Sequence, residues 1–293
     1  MKQYIEKNPM IMIVVGLLGV SMSAIFVRLS DAPSAVTAGF RLLWTVLLMT
    51  PVTLIKPEPR KELLQLDKKT VLLCAVSGVF LAVHFVLWFE SLQHTSVASS
   101  GVIVCTEVIW VSLGYCLFMG GRLSLKAMAT IAVSLVGSAI IALSDSGTGG
   151  RHLYGDILSL LSAMAIAVYI LIGRAVRKTV SNTVYTYVVY SVSAVTLVAI
   201  SLAQGHHLFG YGWSAVIVGL LLAVFSTIMG HSVFNWCLKY FSPSFVSASK
   251  LAEPVIASVI AIFLFGEIPG PWQIVGGIII IGGVLFYSRL EKE

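Results

Sequence analysis

Three side chains stand where a membrane-crossing sequence is ordinarily apolar. Residues 246–267 read VSASKLAEPVIASVIAIFLFGE and carry Lys250, Glu253 and Pro254 inside a run long enough to cross a bilayer. Each ionised side chain near the bilayer centre costs roughly 2.5–3.5 kcal/mol on insertion scales. Pro254 has no N–H, so the carbonyl of Lys250, one turn back, loses its helical partner. Such a site is stable where it faces other helices or a wet cavity, and it predicts the wall of a pathway. Lys250 and Glu253 also stand three residues apart, so a static buried ion pair between them is the alternative. Glu107 is a second interior acid. Desolvation favours the neutral carboxyl and a nearby cation favours the carboxylate. An acid balanced between the two can take up and release a proton, or bind a substrate ammonium. The alternative is a carboxyl that only packs two helices.

Other polar residues fall at helical spacings. His84, Trp88 and Ser91 share one helix face, where a histidine beside a large aromatic suits an organic cation or a ring; packing alone explains them equally well. His231 and Asn235 are four residues apart on another face, and Asn235 also suits a hydrogen bond between helices. Tyr169 and Ser23 offer hydroxyls to the same pathway. Arg41 is expected to pair with a carboxylate or with carbonyls, Glu90 to sit at an interface, and Tyr185, Tyr187 and Tyr190 to form an aromatic belt. The four cysteines, Cys74, Cys105, Cys116 and Cys237, make no CxxC or Cys/His cluster, so neither a metal site nor a disulfide framework is expected. The glycines of the final apolar run, Gly276, Gly277, Gly282 and Gly283, suit close helix packing or a dimer contact. They follow no strand, so no phosphate loop and no cofactor is implied.

The elements that must position these residues are membrane helices. The 293-residue chain is 58% hydrophobic and only 11% charged, against roughly 25% charged in a soluble domain. An all-α integral membrane protein follows. Runs of about 20 apolar residues fall at 10–29, 34–55, 70–92, 97–119, 123–144, 154–174, 184–203, 213–237, 245–266 and 271–288, which predicts ten transmembrane helices. Of the 19 Lys and Arg residues, 15 lie on one side of these spans and 2 on the other, with Arg41 and Lys250 inside. That bias puts both termini in the cytoplasm. It also accounts for the net charge of +6 without nucleic acid as a partner.

The chain also repeats itself. A shift of 146 residues carries Glu107 onto Glu253, Leu92 onto Leu238, Ser112 onto Ser258 and Gly137 onto Gly283. Two five-helix halves, 1–147 and 148–293, follow. Five is odd, so the halves are expected to be inverted with respect to each other, an arrangement typical of transporters with a midplane site. Glu107 lies about ten residues into its span and Glu253 about eight into its own, from opposite faces. Each is therefore roughly 12–15 Å deep in a core about 30 Å thick.

Several stretches resemble the drug/metabolite transporter superfamily, EamA family: SAIFVRLSDAPSAVTAGFRL (Ser23–Leu42), HFVLWFESLQHTSVASS (His84–Ser100), GHSVFNWCLKY (Gly230–Tyr240), the Glu253-Pro254 step, and FGE (Phe265–Glu267) before a glycine-rich last span. The resemblance implies a bacterial inner-membrane protein, often an exporter. It also implies a central cavity lined by spans one, three, four, six, eight and nine and working by alternating access. The first half departs from the pattern at Glu107-Val108, where the family has a Gln-Pro or Glu-Pro step, and at Gly120-Gly121, where it has Gly-Glu. A kink at Glu107 is therefore not expected from the sequence.

The sequence thus points to a secondary transporter of a small metabolite, an amino acid or related amphipathic compound, with proton coupling as an option and a monomer or homodimer as its state. Glu253, Glu107 and Lys250 form the expected charged centre, and Pro254 the expected hinge. The alternative is a non-transporting membrane scaffold with a structural ion pair. An enzyme is not expected, because the histidines are scattered and no nucleophile–base pair or acidic cluster accompanies them.

Overall fold

A computed structural model describes residues 8–95, 97–145, 153–253, 255, 256, 259, 260 and 270–290. All regular structure among them is helical. The elements are α1 (Pro9–Ser21), α2 (Ser23–Arg28), α3 (Ser34–Leu54), α4 (Pro57–Leu64), α5 (Lys68–His94), α6 (Val97–Cys105), α7 (Glu107–Met119), α8 (Leu125–Asp145), α9 (Leu153–Val176), α10 (Asn182–Ala203) and α11 (Gly212–Leu221). A widened π stretch (Leu222–His231) then leads into α12 (Ser232–Cys237); α13 (Pro243–Ser249), a tight 3-10 turn (Lys250–Ala252) and α14 (Pro271–Leu290) complete the order. Among the described residues six helices are long and apolar enough to cross a membrane, and three shorter apolar helices accompany them, at Ile103–Met119, Leu125–Ile140 and Ile274–Tyr287. Much of the expected ninth span, with Pro254, lies outside the described residues.

Leucines such as Leu47, Leu117 and Leu285 stand exposed on the outside, as a lipid-facing surface requires. Inside, hydroxyls bond to one another and to carbonyls: Ser77 to Tyr185 at 2.8 Å, Ser193 Oγ to the Gly78 carbonyl at 2.7 Å, Tyr190 to Ser232 at 3.1 Å. Tyr185 and Tyr190 are fully buried. They tie α10 to α5 and α12 instead of forming the interfacial belt expected of them; only Tyr187 keeps partial exposure. In α14 the glycines Gly276 and Gly283 serve packing within the chain. Gly283 lies against Ser134, and Gly137 of α8 lies against the Gly276 carbonyl.

The packing repeats with the sequence. Contacts between the halves include α5 with α9 and α10, α1 with the π stretch and α12, α3 with α10 and α11, α7 with α9 and α13, and α8 with α14. Adding 146 to Lys68–His94 gives 214–240, which is α11 through α12; removing 146 from Leu153–Val176 gives 7–30, which is α1 and α2. Under that exchange the α5–α9 contact becomes the α1–α12 side of the bundle, α3–α10 and α8–α14 become themselves, and α7–α13 becomes α6 against residues 253–265, most of which lie outside the described residues. The two halves therefore share one arrangement of helices, and their meeting surface contains the residues singled out above.

Candidate functional site

Both interior glutamates sit at helix irregularities. Between α6 and α7 the chain makes one tight turn at Thr106: its N–H bonds to the Ile103 carbonyl at 3.1 Å, and the Ile109 N–H bonds back to the Thr106 carbonyl at 2.9 Å. The Thr106 hydroxyl donates to the Ile103 carbonyl as well, at 2.6 Å. These i to i−3 bonds interrupt the regular ladder. The break at Glu107, unexpected without a proline, is thus made by a threonine. In the second half the 3-10 turn Lys250–Ala252 leads directly into Glu253. α13 ahead of it starts cleanly, with Pro243 at its first turn and the Ser242 hydroxyl accepting from the Phe245 N–H at 3.1 Å.

Lys250 does not pair with Glu253, three residues on. Its Nζ donates to both carboxylate oxygens of Glu107, at 2.8 and 2.9 Å, and Ser247 Oγ donates to Glu107 Oε1 at 2.9 Å. Glu107 is only 2% exposed. A two-oxygen contact with a further hydrogen bond is the geometry that lets a buried ion pair offset its desolvation. The pair joins the two halves across 143 residues of sequence. Glu253 has no hydrogen-bonded or ionic side-chain partner among the described residues; its backbone carbonyl accepts from Ser21 Oγ at 3.4 Å.

These groups line one cavity, together with Val20, Ser23, Arg41, His84, Trp88, Val104, Cys105, His231, Ser247 and Leu251. It leaves about 50 Å³ for the centres of water-sized molecules, room for a few waters. A small metabolite enters only if the walls separate. The residues come from spans one, two, three, four, eight and nine. The resemblance implied span six and omitted span two. Instead, Arg41 on α3 forms part of the wall, and α9 of span six contributes Ser162 behind His84.

His84 is held from outside the cavity. Its Nδ1 lies 3.1 Å from the Ser162 carbonyl and 2.8 Å from Ser162 Oγ, while that hydroxyl is 3.1 Å from the His84 carbonyl. The set is consistent if Nδ1–H donates and the serine hydroxyl donates onward to the carbonyl, which leaves Nε2 as an acceptor in the neutral ring. Trp88 stacks on the imidazole with ring centres 6.2 Å apart and planes 12° apart, and His231 meets it edge-on at 6.4 Å. His231 ends the π stretch, where the Ser232 N–H reaches back five residues to the Thr227 carbonyl. The widened stretch crosses α1 where Gly19 and Gly230 touch, and a Cβ on Gly19 would lie 2.6 Å from the Phe225 carbonyl oxygen. Irregular turns of this kind recur at functional sites.

Asn235 and Tyr169 are absent from the cavity wall. The Asn235 amide donates to the Tyr169 hydroxyl and, at 2.9 Å, to the His231 carbonyl, which is a bond between helices. Glu90 pairs with His94 one turn on, at 3.1 Å, with both side chains partly exposed. Arg41 departs most from expectation. It is 1% exposed and has no carboxylate within ion-pair distance among the described residues. Its Nε donates to Thr227 Oγ1 at 2.7 Å and its Nη1 to Ser23 Oγ at 3.3 Å, and its Cζ lies 4.1 Å above the Phe85 ring centre. The sequence did carry the signal: a charge inside an apolar span is by itself a site marker.

A polytopic helical bundle in which two like-arranged halves meet around a small charged cavity has the architecture of a membrane transporter. A profile of the EamA-like transporter family matches residues 7–143 and again 153–289, two stretches 146 residues apart. The chain belongs to this family, and it is a multi-pass membrane protein. Among named relatives, a probable terminal-alkyne amino-acid exporter of Streptantibioticus cattleyicolor is 22% identical over 94% of this chain and 84% of its own. The pseudopaline exporter CntI of Pseudomonas aeruginosa is 24% identical over 78% of each chain. An uncharacterized transporter of Clostridium kluyveri is 24% identical over 75% of this chain and 72% of its own. A solved crystal structure shares the fold over 98% of each chain, with a TM-score of 0.80 at 14% identity.

Proposed function

We propose that the protein is a secondary-active exporter of a small metabolite, an amino acid or a related amphipathic compound, in the bacterial inner membrane. Ten spans, in two inverted repeats at 1–147 and 148–293, rock about the cavity, with both termini in the cytoplasm. The observation that carries this reading is the division of the charges. Lys250 is bound to Glu107 across the halves, and Glu253 stands on the same cavity wall with no hydrogen-bonded or ion-paired side-chain partner among the described residues. A fully static scaffold would have no reason to leave a carboxyl on the cavity wall without a partner. Two relatives named as exporters, one of amino acids, support the direction and the substrate class.

In this mechanism Glu253 takes up a proton on one side of the cycle and releases it on the other, coupled to substrate movement. Glu107 and Lys250 hold the two repeats together at their crossing. His84, Trp88, His231 and Ser23 face the substrate, and Asn235 with Tyr169 braces the wall behind His231. Pro254 serves as the hinge beyond Glu253. The test is counterflow in proteoliposomes over a panel of amino acids and small amphiphiles, with and without a pH gradient. Transport that responds to the gradient in the wild-type protein and loses that response in Glu253→Gln is the expected result. A wild-type protein that carries no member of the panel sinks the exporter reading in favour of a scaffold; a Glu253→Gln protein with an unchanged pH response removes Glu253 as the coupling group.

A further inference from the structure

Arg41 has spare hydrogen-bonding capacity in the wrong place for a structural residue. A guanidinium carries five N–H donors. Thr227 takes the one on Nε and Ser23 takes one on Nη1. Nη2 is buried and has no hydrogen-bond partner among the described residues. Phe85 covers one face of the group at 4.1 Å. Three donors remain, one on Nη1 and two on Nη2, on a side chain that forms part of the cavity wall. A buried polar group left unsatisfied calls for an explanation, and a buried cation without a counter-charge costs more than a neutral one. Lys250 shows how this protein neutralises an interior cation when nothing else is required of it. Arg41 is instead held by hydroxyls, which fix the guanidinium plane, and Glu253 on the same cavity wall acts on its charge only through space.

We propose that Arg41 receives an anionic group of the transported compound, a carboxylate that enters the cavity and takes two parallel hydrogen bonds from Nη1 and Nη2. The planar fork matches a carboxylate in that arrangement. Ser23 and Thr227 position the fork, and Val20, Val104, Leu251 and Trp88 supply apolar wall for the rest of the molecule. The assignment rests on the transport reading above and narrows it to compounds that carry a carboxylate.

The test compares each acid with its own amide, which removes the negative charge at nearly constant shape. L-alanine, L-leucine and L-phenylalanine, and the amide of each, are titrated against the full-length protein in detergent by thermal unfolding, then used as substrates in proteoliposome counterflow. The expected result is that at least one acid binds and is carried, with its amide weaker by about tenfold or more, the scale of a charge-assisted hydrogen bond. Arg41→Gln abolishes the discrimination and Arg41→Lys retains a part of it. Acid and amide acting equally on the wild-type protein overturns the assignment and leaves the transport reading standing, as does discrimination that survives in Arg41→Gln. A wild-type protein that neither binds nor carries any of the six overturns both. The wild-type comparison stands without a variant, so a substitution that fails to fold leaves the test intact.

Discussion

Glu107 and Glu253 occupy the same position in the two halves, 146 residues apart, and each follows a local break in its helix. Their surroundings differ. Glu107 is bound at both oxygens by Lys250 and at one by Ser247. Glu253 shares the cavity wall with no hydrogen-bonded or ion-paired side-chain partner among the described residues. The lysine that makes the difference comes from the second half, where the residue equivalent by the same shift is Val104. A duplicated acid has thus been divided by one neighbouring substitution. One copy joins the halves and the other is left available. Repetition of the sequence does not carry repetition of the electrostatics, because a single long side chain reaches across the surface where the halves meet in one direction only.

The largest effect should come from stranding the lysine. Glu107→Gln leaves the largely buried Lys250 with its hydrogen-bonded counter-ion gone, which should cost about 3–5 kcal/mol. Glu253→Gln breaks no pair and should change stability by less than about 1 kcal/mol. Thermal unfolding of the two variants in one detergent measures the contrast. Equal losses would break the comparison, since they would mean that Glu253 has a partner as costly to lose.

A smaller effect follows from removing the lysine as well. Replacing a buried pair by apolar groups of similar size is often neutral, so adding Lys250→Met to Glu107→Gln should recover most of the loss. The coupling between the sites should exceed about 2 kcal/mol in a double-mutant cycle. Additive losses would mean that the 2.8 Å contact contributes little. Function should then separate the acids again. Counterflow by Glu107→Gln/Lys250→Met should keep its dependence on pH across the neutral range, and counterflow by Glu253→Gln should be flat. The sign follows from roles: only an acid that is free to change protonation contributes to the slope. A flat profile in the double variant and a sloping one in Glu253→Gln would reverse the assignment.

How much of this was legible in the sequence depends on how far apart the interacting residues lie. The helices were legible because hydropathy is a local property, and the repeat because one offset joins many positions. The interior charges were visible as exceptions in apolar runs. Their pairing was hidden, since spacing on one helix suggested Glu253 for Lys250, whereas the structure chose a residue 143 positions away. The partners of Arg41 were hidden for the same reason: the hydroxyls of Ser23 and Thr227 stand 18 and 186 residues away. Tyr185 and Tyr190 suited a belt by composition, and only their burial against Ser77 and Ser232 shows that they are core. Asn235 and His231 share a helix, but the wall needed only His231 because Tyr169 captures the amide.

The smallest predicted effect concerns the break itself. The family pattern places a proline after the acid, which is Pro254 in the second half and Val108 in the first. Thr106 already ends the ladder before Glu107, so Val108 is the second residue of α7. The first turn of a helix has no intrahelical partners for its N–H groups and tolerates proline there. Val108→Pro should therefore shift stability by less than about 1 kcal/mol, against about 3 kcal/mol or more for proline within a continuous helix. Thr106→Ala in the same background removes the side-chain bond to Ile103 and should cost no more than the about 1 kcal/mol of a single hydrogen bond, because the proline now holds the break open. A loss of several kcal/mol on Val108→Pro alone would mean that the ladder continues through Thr106. The two halves would then differ in backbone as well as in charge, and the division between Glu107 and Glu253 would have to be explained by helix geometry rather than by Lys250.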